Sequence, residues 1–445
     1  MIDRPIGYDE AYTFIYFASK PFKNILVDYH VPNNHILNTI LVGIAYRILG
    51  GHTWIVRVPA FIASVLSIPA AYFAARRFYT YNQALAASAV LAIYPSLIRS
   101  SANGRGYMLV ILFSFVLTNI GGILVNKQNL SSLLAFAITG ALGFYTIPVF
   151  LFPMTGVSLW VAVTYLMGNE SWHNKISKLA PFLGACIVSG LLTLILYSPV
   201  IIFGTGFDSI FNNEIVTSHT WSYFTQSLHP RIIKTWVDWT VDLHPGIRYL
   251  FLSGFLLSLV FYRKVSNQKL PLQIFLFLAI AIILVLQRTA PLPRIWIYLE
   301  LFCVVFSIVG LIWAIETLFK KIAGEMFPTR ALPIIILLFT ITVFINSIIS
   351  TQNASTIADR TQLPEKFAAA YIASHLKPGD TILSVAPVDM RTAYYLNIIG
   401  VSYNVFFQRD HPVKFQNALI VLRKQGKFDT PEKVAGVYQL LPKLD

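Results

Sequence analysis

Apolar runs long enough to cross a membrane recur along this chain, and they constrain its fold more than any other feature. A helix needs about 20 apolar residues to span the hydrocarbon core of a bilayer. Ten candidate spans are found at 56–75, 83–98, 106–125, 131–146, 148–166, 179–204, 248–262, 270–287, 294–314 and 331–349. The sequence therefore predicts a mainly α, polytopic transmembrane helix bundle.

The charge content excludes the soluble class. Only 12% of the 445 residues are charged, whereas soluble domains carry roughly a quarter. The net charge of +14 would suggest nucleic acid in a soluble protein. Here the basic residues fall in alternate loops between the spans, as the positive-inside rule expects. With no nucleic-acid motif present, the predicted partner is the membrane and not nucleic acid.

Three regions are predicted along the chain. Residues 1–55 form an outer loop and an interfacial helix, which the helical spacing of apolar residues places at 33–50. Residues 56–350 form the transmembrane bundle. Residues 355–445 combine an amphipathic stretch at 363–376 with the β-rich runs TILSV, VSYNVFF and ALIVLRK, which is typical of a small extramembrane α/β domain.

Loop charges orient the bundle. Basic residues cluster in alternate connections, at Arg76–Arg77, Lys127, Lys175 and Lys178, Arg263–Lys264–Lys269, and Lys320–Lys321–Arg330. These connections are predicted to be cytoplasmic, so residues 1–55, the loop 205–247 and the C-terminal region lie outside. The first span then enters from outside. This predicts a further transmembrane helix upstream of Met1.

Several arginines lie near the predicted outer ends of spans, against the trend of the loops. They are Arg57, Arg99, Arg105, Arg288 and Arg294. Any single one is equally well explained as an ordinary arginine at a helix end, whose side chain extends to the membrane interface. A group of them suits an anion, because the planar guanidinium matches phosphate oxygens. At the outer headgroup level, that anion would be a lipid phosphate.

Two adjacent carboxylates, Asp9 and Glu10, lie between tyrosines in the sequence Gly-Tyr-Asp-Glu-Ala-Tyr. Adjacent acids in a loop are most often only solvated. On a helix they would point about 100° apart, so they cannot share one role. One can act as a base while the other orients an acceptor, pairs with an arginine or binds a metal.

Three further residues are candidates for supporting roles. His30 and His35 have a spacing that can help to hold a metal, although hydrogen bonding at the interface is commoner. Glu300 lies inside a predicted span, where a carboxylate is usually functional. Pairing with Arg294 or Arg288 is the expected role of Glu300.

The order of several short motifs resembles one family. YDEAY is followed by NNHILNTIL, G-x-x-W-x-x-R-V-P-A, ARRFY and IYPSLIRSSANGRGYMLVILF. This order is similar to the N-terminal half of the dolichyl-phosphate-mannose protein mannosyltransferase superfamily, whose bacterial members include polyprenyl-phosphate aminoarabinose transferases that modify lipid A. The resemblance is clearest over residues 7–125 and continues to about 350.

The resemblance implies a GT-C fold and a membrane glycosyltransferase. It implies a polyprenyl-phosphate sugar as donor, a lipid, glycan or protein as acceptor, and an active site on the outer face of a bacterial inner membrane. Some relatives use a divalent metal and others do not, so a metal stays open.

By the same resemblance, Asp9 matches the catalytic acid and Glu10 its acidic neighbour. Arg105 matches the arginine of the family stretch E-A-R-x-Y, with Tyr107 in the place of its tyrosine. Asn103 and Gly104 stand where the family has Glu-Ala. Arg57, Arg99 and Arg294 complete the predicted phosphate site. Asp9 would accept a proton from the acceptor, and attack opposite the phosphate would invert the anomeric carbon.

Three other classes of function stay open at this stage. A transporter or flippase of lipid-linked saccharide would place charges near the midplane, within repeated halves. No internal repeat is seen, and the charges cluster toward one face. A polysaccharide polymerase or ligase would share the outer arginines without needing the early acidic pair. An inactive scaffold is the third alternative.

Overall fold

Helices account for most of the chain that the structure describes. The computed structural model covers residues 2–211, 217–289, 291–323, 327–362, 364–409, 412–423 and 427–440, without the side chains at 323, 327–331 and 354–362. The α-helices, in chain order, are α1 (Tyr8–Thr13), α2 (Phe22–Val27), α3 (Ile36–Leu49), α4 (Val58–Arg76), α5 (Tyr81–Ala92), α6 (Pro95–Ser101), α7 (Tyr107–Asn126), α8 (Leu130–Thr146), α9 (Leu151–Leu166), α10 (Trp172–Phe203), α11 (Asp208–Phe211), α12 (Trp221–Thr240), α13 (Pro245–Val260), α14 (Tyr262–Val265), α15 (Leu272–Gln287), α16 (Ile297–Ala323), α17 (Phe327–Gln362), α18 (Pro364–His375), α19 (Asp389–Ile398) and α20 (Pro431–Val437). A π-helix covers Phe14–Ala18, and 3-10 turns cover Thr53–Arg57, Pro148–Phe150, Pro293–Trp296 and Tyr403–Val405.

Every predicted span coincides with a helix. Among the described residues, six helices are long and apolar enough to cross a membrane, and the number rises to eight if each of two bent pairs forms one span. The remaining two predicted spans are the shorter apolar helices α8 and α15. The prediction of a mainly α, polytopic membrane protein is confirmed.

Two predicted details differ from the structure. The span predicted at 83–98 is broken into α5 and α6, which are bent by 54°, because Pro95 has no backbone N–H and disfavours helix at Tyr94. The loop predicted at 205–247 contains the 20-residue helix α12, which is joined to α13 at an angle of 115°.

The described chain divides into two compact units, and neither is one continuous stretch. The terminal unit comprises Met1–Ile25, Thr39–Val58 and Asn353–Asp445, and the bundle unit comprises Leu26–Asn38 and Pro59–Gln352. From the sequence, residues 1–55 and residues 355–445 were predicted to be separate regions. That three-region division stays a prediction, but the terminal unit combines most of the first region with the last, while residues 26–38 belong to the bundle unit.

The bundle unit is built around α16. In its apolar window 83% of the residues are buried, whereas in α10 only 17% are. Helices α5, α7 and α13 pack against α16. A Cβ at Gly254 would overlap the backbone of Ser307, and one at Gly310 would overlap the backbone of Gly254. Small residues therefore allow α13 and α16 to approach closely, as is common between helices in membranes.

The terminal unit has its own hydrophobic core. Side chains of α1 and the π-helix pack against α18, α19 and β1, with Phe14, Ile15, Ile372, Ile382 and Tyr394 all buried. The strands β1 (Thr381–Ser384) and β2 (Ala418–Val421) pair in parallel, with Thr381 opposite Ala418. The C-terminal residues thus contain both helices and strands, but their core is shared with the first 18 residues of the chain.

One predicted strand is absent from this small sheet as described. The run VSYNVFF forms a 3-10 turn, in which the Ser402 hydroxyl accepts a hydrogen bond from the backbone N–H of Asn404 at 3.2 Å. Only Phe406 bridges to Ile382 beside it. Side-chain capping by serine competes with strand pairing, which explains why β-forming composition did not produce a strand here.

Candidate functional site

Glu10 and Arg57 form a buried ion pair in the terminal unit. Arg57 is 0% exposed and Glu10 is 2% exposed. The Arg57 Nε donates to Glu10 Oε1 at 2.9 Å and its Nη2 donates to Oε2 at 2.7 Å. Two parallel bonds of this kind are the strongest form of arginine–carboxylate contact.

Both partners are held by local structure. Gly7 precedes α1 in an extended conformation, and its backbone N–H donates to Glu10 Oε2 at 2.8 Å. Glu10 therefore caps the helix that carries it, as a glutamate at the third helical position often does. Arg57 ends the 3-10 turn Thr53–Arg57.

The donors of Arg57 are all used by the protein. Its Nη1 donates to the carbonyl oxygens of Ile2 at 2.8 Å and Arg4 at 2.7 Å, and its Nη2 donates to the carbonyl oxygen of Pro5 at 3.0 Å. With the two bonds to Glu10 these make five, and a guanidinium has five N–H groups. Phosphate binding by Arg57 would therefore break a bond that holds residues 2–10.

Asp9 has a different environment from its neighbour. It lies one residue before Glu10 on α1 and is only partly buried. Burial raises the pKa of the adjacent Tyr8 well above its usual value, and the charges of Asp389, Tyr16 and Asp9 raise it further. The two acids that the sequence placed together are thus separated, one inside the fold and one at its margin.

Arg105, His35, Tyr107 and Arg294 come together in the bundle unit. The Arg105 Nη1 donates to the carbonyl oxygen of Asn33 at 3.0 Å, and its Nη2 lies 3.0 Å from His35 Nε2. The Tyr107 ring meets the His35 ring edge to face, with centroids 5.3 Å apart. Arg294 lies close enough for its charge to act on His35.

His35 is a neutral imidazole. Burial lowers the pKa of His35 well below its usual value, and the charges of Arg105 and Arg294 lower it further. The Gly106 N–H donates to His35 Nδ1 at 2.9 Å, and the Arg105 Nη2 lies 3.0 Å from Nε2, so N–H donors approach both ring nitrogens and disfavour the protonated ring. The histidine therefore supplies no negative charge to offset either arginine.

Gly106 makes this arrangement sterically accessible. A Cβ at this position would lie 2.8 Å from Thr146 Cγ2 and 3.1 Å from the His35 ring. Any larger residue would push the imidazole away from the backbone N–H that orients it. The G-R-G-Y sequence thus places Arg105 and Tyr107 on either side of a close contact.

Arg99 and Glu300 belong to a third group, also in the bundle unit. Arg99 forms an ion pair with Asp242 at the bend between α12 and α13. Glu300 is 5% exposed, and Ser96 Oγ donates to its Oε1 at 2.6 Å. The Tyr94 hydroxyl also bonds to Glu300.

The expected pairing of Glu300 with Arg294 or Arg288 is therefore wrong. The partners of Glu300 come from the broken helix pair α5–α6, and Arg99 is the arginine whose charge acts on it. Sequence reasoning missed both Asp242 and Ser96, because contacts across 100 to 200 residues leave no local signal. The phosphate-binding role of Arg99 stays a prediction, and the ion pair with Asp242 does not favour it.

A metal site is not formed by the residues that the structure describes. No group of three or more His, Cys, Asp or Glu side chains among them is arranged to hold a metal ion. His30 pairs with Asp28 at 2.5 Å, and His35 lies beside two arginine charges that would repel a cation. The divalent metal considered from the sequence stays a prediction.

Part of the chain matches a family model. Residues 36–203 match the model of the dolichyl-phosphate-mannose-protein mannosyltransferase family. This stretch covers α3 to α10 and includes Arg57, Arg99, Arg105 and Tyr107. The sequence has no significant match among curated proteins.

Solved membrane proteins share the fold over nearly the whole chain. The crystal structure of ArnT from Cupriavidus metallidurans bound to undecaprenyl phosphate aligns with 99% of this chain and 85% of its own, at 13% identity and a TM-score of 0.60. Its apo form aligns over the same shares at 12% identity and a TM-score of 0.55. The Archaeoglobus fulgidus oligosaccharyltransferase, in complex with Zn and sulfate, aligns with 90% of this chain and 58% of its own, at 14% identity and a TM-score of 0.52. At these identities the likeness is one of fold.

Proposed function

We propose that this chain is a GT-C membrane glycosyltransferase that transfers a sugar from a polyprenyl-phosphate donor to an acceptor hydroxyl or amine. The match of residues 36–203 to the mannosyltransferase family model and the fold shared with the solved structures support this proposal. The proposed active site lies on the non-cytoplasmic face of a bacterial inner membrane. The acceptor is a lipid, a glycan or a protein.

The observation that carries the proposal is the difference in burial between the two adjacent acids. Glu10 is buried in its ion pair with Arg57, whereas Asp9, its neighbour on α1, is only partly buried. We assign Asp9 as the general base and Glu10 and Arg57 as positioning residues that hold α1. The catalytic role expected of Glu10 and the phosphate role expected of Arg57 are replaced by this assignment.

The chemistry needs one base and a stabilised leaving group. Asp9 accepts the proton of the acceptor hydroxyl or amine. At the same time the oxygen or nitrogen of the acceptor forms a bond to the anomeric carbon of the sugar. The bond from that carbon to the phosphate oxygen breaks at the same time, and the electron pair leaves on the polyprenyl phosphate. Attack from the face opposite the leaving group inverts the anomeric centre.

Arg105 and Arg294 are the proposed phosphate ligands. The charges of both arginines act on His35, which groups two cations at one place, and a planar guanidinium matches phosphate oxygens. A buried cation that meets charge developing on a leaving group stabilises the transition state more than the ground state. Tyr107 orients His35 through its ring. The fold likeness to a protein crystallised with undecaprenyl phosphate supports a lipid phosphate as this anion.

Transfer of radiolabel from polyprenyl-phosphate sugars in membranes tests the proposal. We expect the wild type to label an acceptor, and Asp9→Asn to lower the rate by a factor of about 10² to 10⁴, as removal of a general base does, with lipid-phosphate binding retained. Asp3→Asn is the matched control, because Asp3 is an exposed acid of the same segment that accepts a bond from Thr53 Oγ at 2.9 Å. Equal rates for wild type and Asp9→Asn would refute Asp9 as the base.

A further inference from the structure

A cleft in the bundle unit contains none of the residues assigned to the proposed chemistry. It has a volume of about 410 Å³ and is bordered by the end of α13, by α14 and by the start of α15. We call it the α13–α15 cleft. The residues that line it include Val260, Arg263, Lys264 and Ile274.

The connection that forms the cleft is held in place by hydrogen bonds to neighbouring helices. The backbone N–H of Asn267 donates to the carbonyl oxygen of Phe78 at 2.7 Å. The ring N–H of Trp160 donates to the carbonyl oxygen of Leu270 at 3.0 Å. The cleft is therefore bordered by ordered backbone without any ligand, as most binding sites are.

The charged residues of this connection are all positive. Residues 259–274 contain Arg263, Lys264 and Lys269 and no Asp or Glu. Arg263 and Lys264 are exposed, and neither side chain forms a hydrogen bond or an ion pair with any residue that the structure describes. The Lys264 Nζ lies 6.0 Å from the centroid of the Phe261 ring. The N–H donors of both cations are therefore available to a ligand in the cleft.

Basic residues in two other connections of the same predicted face are bound by the protein. The Arg77 Nε donates to Asn119 Oδ1 at 2.8 Å, and Lys178 pairs with Glu170 at 2.5 Å. The positive-inside rule explains why all these connections contain lysine or arginine. It does not explain why two of these residues line a cleft and have no partner among the described residues.

The rest of the cleft presents apolar side chains at the ends of membrane helices. Val260, the last residue of α13, is 72% exposed, and Ile274, in the first turn of α15, is 51% exposed. Phe261 stacks on Trp313 of α16, with centroids 5.0 Å apart, and aromatic rings are typical of the membrane interface. In a membrane protein, exposed apolar side chains at this level are covered by lipid chains.

These features together fit one class of ligand. A guanidinium and an ammonium bind phosphate oxygens, and basic pockets between membrane helices bind the headgroups of acidic lipids. A soluble anion would leave the apolar side chains uncovered. A lipid without net charge would leave the excess positive charge without a counterion.

We propose that the α13–α15 cleft binds an anionic phospholipid, with Arg263 and Lys264 on its phosphodiester and one acyl chain along Val260 and Ile274. The ligand is a lipid of the surrounding membrane and not the sugar donor, whose proposed phosphate ligands are Arg105 and Arg294. This inference does not depend on the proposed function.

Native mass spectrometry of the purified full-length protein tests this binding without requiring turnover. The probes are dioleoyl phosphatidylglycerol, dioleoyl phosphatidylcholine and glycerol 3-phosphate. We expect phosphatidylglycerol to bind more tightly than phosphatidylcholine, because the acyl chains are the same and only the first has a net negative charge. We expect glycerol 3-phosphate to bind more weakly than phosphatidylglycerol, because it has no acyl chain.

A charge variant locates the headgroup. Arg263→Gln combined with Lys264→Gln is expected to raise the Kd for phosphatidylglycerol by about 10- to 30-fold, as loss of two basic residues beside an anionic lipid does. Lys175→Gln combined with Lys178→Gln is the matched control, because it removes the same charge from another connection of the same predicted face and should leave this Kd unchanged.

A steric variant locates the acyl chain without changing the charge. Val260→Trp places a larger side chain in the path of the chain and is expected to raise the Kd by about 4-fold, as loss of one buried methylene contact does. Ile195→Trp is the control, because Ile195 lies on α10 and is also largely exposed, at 64%. Folding of each variant is checked by its elution volume and circular dichroism.

Four outcomes would overturn the inference. The first is an equal Kd for phosphatidylglycerol in wild type and in the folded variant of Arg263 and Lys264. The second is an equal loss of affinity in the variant of Lys175 and Lys178, which would indicate a general effect of charge. The third is equal binding of phosphatidylglycerol and phosphatidylcholine. The fourth is binding of glycerol 3-phosphate as tight as that of phosphatidylglycerol, which would identify a soluble phosphate ligand.

Discussion

Two buried arginines, one in each unit of the molecule, have opposite electrostatic surroundings. Arg57 in the terminal unit directs five N–H groups at a carboxylate and three carbonyl oxygens. Arg105 in the bundle unit lies beside a neutral histidine whose other charged neighbour is Arg294. Both lie near predicted outer ends of spans, and the sequence assigned them the same role. Burial alone therefore does not identify an anion site, and the carboxylate partner of Arg57 marks that arginine as structural.

The largest effect expected from this difference is on stability. Arg57→Gln leaves Glu10 as a buried carboxylate without its ion pair, and breaking a buried pair costs about 3 to 5 kcal/mol. We expect a large fall in the thermal unfolding temperature of the purified protein. The double variant Glu10→Met with Arg57→Met should recover part of it, because no charge is left without a partner. Unchanged unfolding of Arg57→Gln would remove the contrast between the two arginines.

The second expected effect is on activity, and substitution of Arg105 should produce it. Arg105→Gln is expected to lower transfer by a factor of about 10² to 10³, as loss of one charge-stabilising donor does, and to weaken binding of undecaprenyl phosphate. The unfolding temperature should fall less than it does in Arg57→Gln. Arg77→Gln is the control, because Arg77 donates to Asn119 at 2.8 Å elsewhere in the bundle unit. A stability loss without an activity loss would make Arg105 a structural residue like Arg57.

A third buried charge extends the comparison to a carboxylate. Asp389 has a pKa of about 6, raised from 3.8 by burial, and it faces Tyr8, Tyr403, Tyr438 and Arg391. Because its pKa is raised, its contribution to stability is complete below pH 3.8 and is lost as the pH rises through about 6. Asp389→Asn should therefore have a higher free energy of unfolding than wild type at pH 8, by on the order of 3 kcal/mol, and the difference should vanish near pH 4. A constant difference across this range would contradict the assignment.

The smallest expected effect is a change in the pKa of His35, and it tests whether Arg294 belongs to the same site as Arg105. The charges of both arginines help to hold the pKa of His35 down, so Arg294→Gln should raise it. Proton NMR of the His35 ring across pH 4 to 8 measures the change. Arg288→Gln is the control, because the Arg288 guanidinium lies over the Trp221 ring, 5.8 Å from its centroid. An unchanged pKa in Arg294→Gln would separate Arg294 from the phosphate site.

The helices could be predicted from the sequence because each depends on its own residues. Each of the ten apolar runs coincides with helical structure, and the boundary predicted between 146 and 148 falls between α8 and α9. A break in a helix depends on a single residue that the sequence also contains. Pro95 marks the bend between α5 and α6, although the span was predicted as continuous over 83–98. Helix α12 was missed because its polar residues, such as Lys234 and Asp238, lower its apolar content below that of a span.

The partners of the candidate residues could not be predicted in the same way. Glu10 and Arg57 are 47 residues apart, and Arg99 and Asp242 are 143 apart, so no periodicity connects them. The sequence did allow that one of the two adjacent acids pairs with an arginine, but not which acid or which arginine.

The discontinuous make-up of the terminal unit has a consequence for how the protein is made. A ribosome delivers residues 2–25 and 39–58 first, and the remaining part of their core, which includes Ile372, Ile382 and Tyr394, emerges only after more than 300 further residues. Throughout that interval Phe14 and Ile15 have no completed core to enter. Early segments that wait for late ones are exposed to mispairing and to proteases. Membrane insertion of the intervening spans must therefore be finished before α1, with the acid it carries, can reach its final conformation.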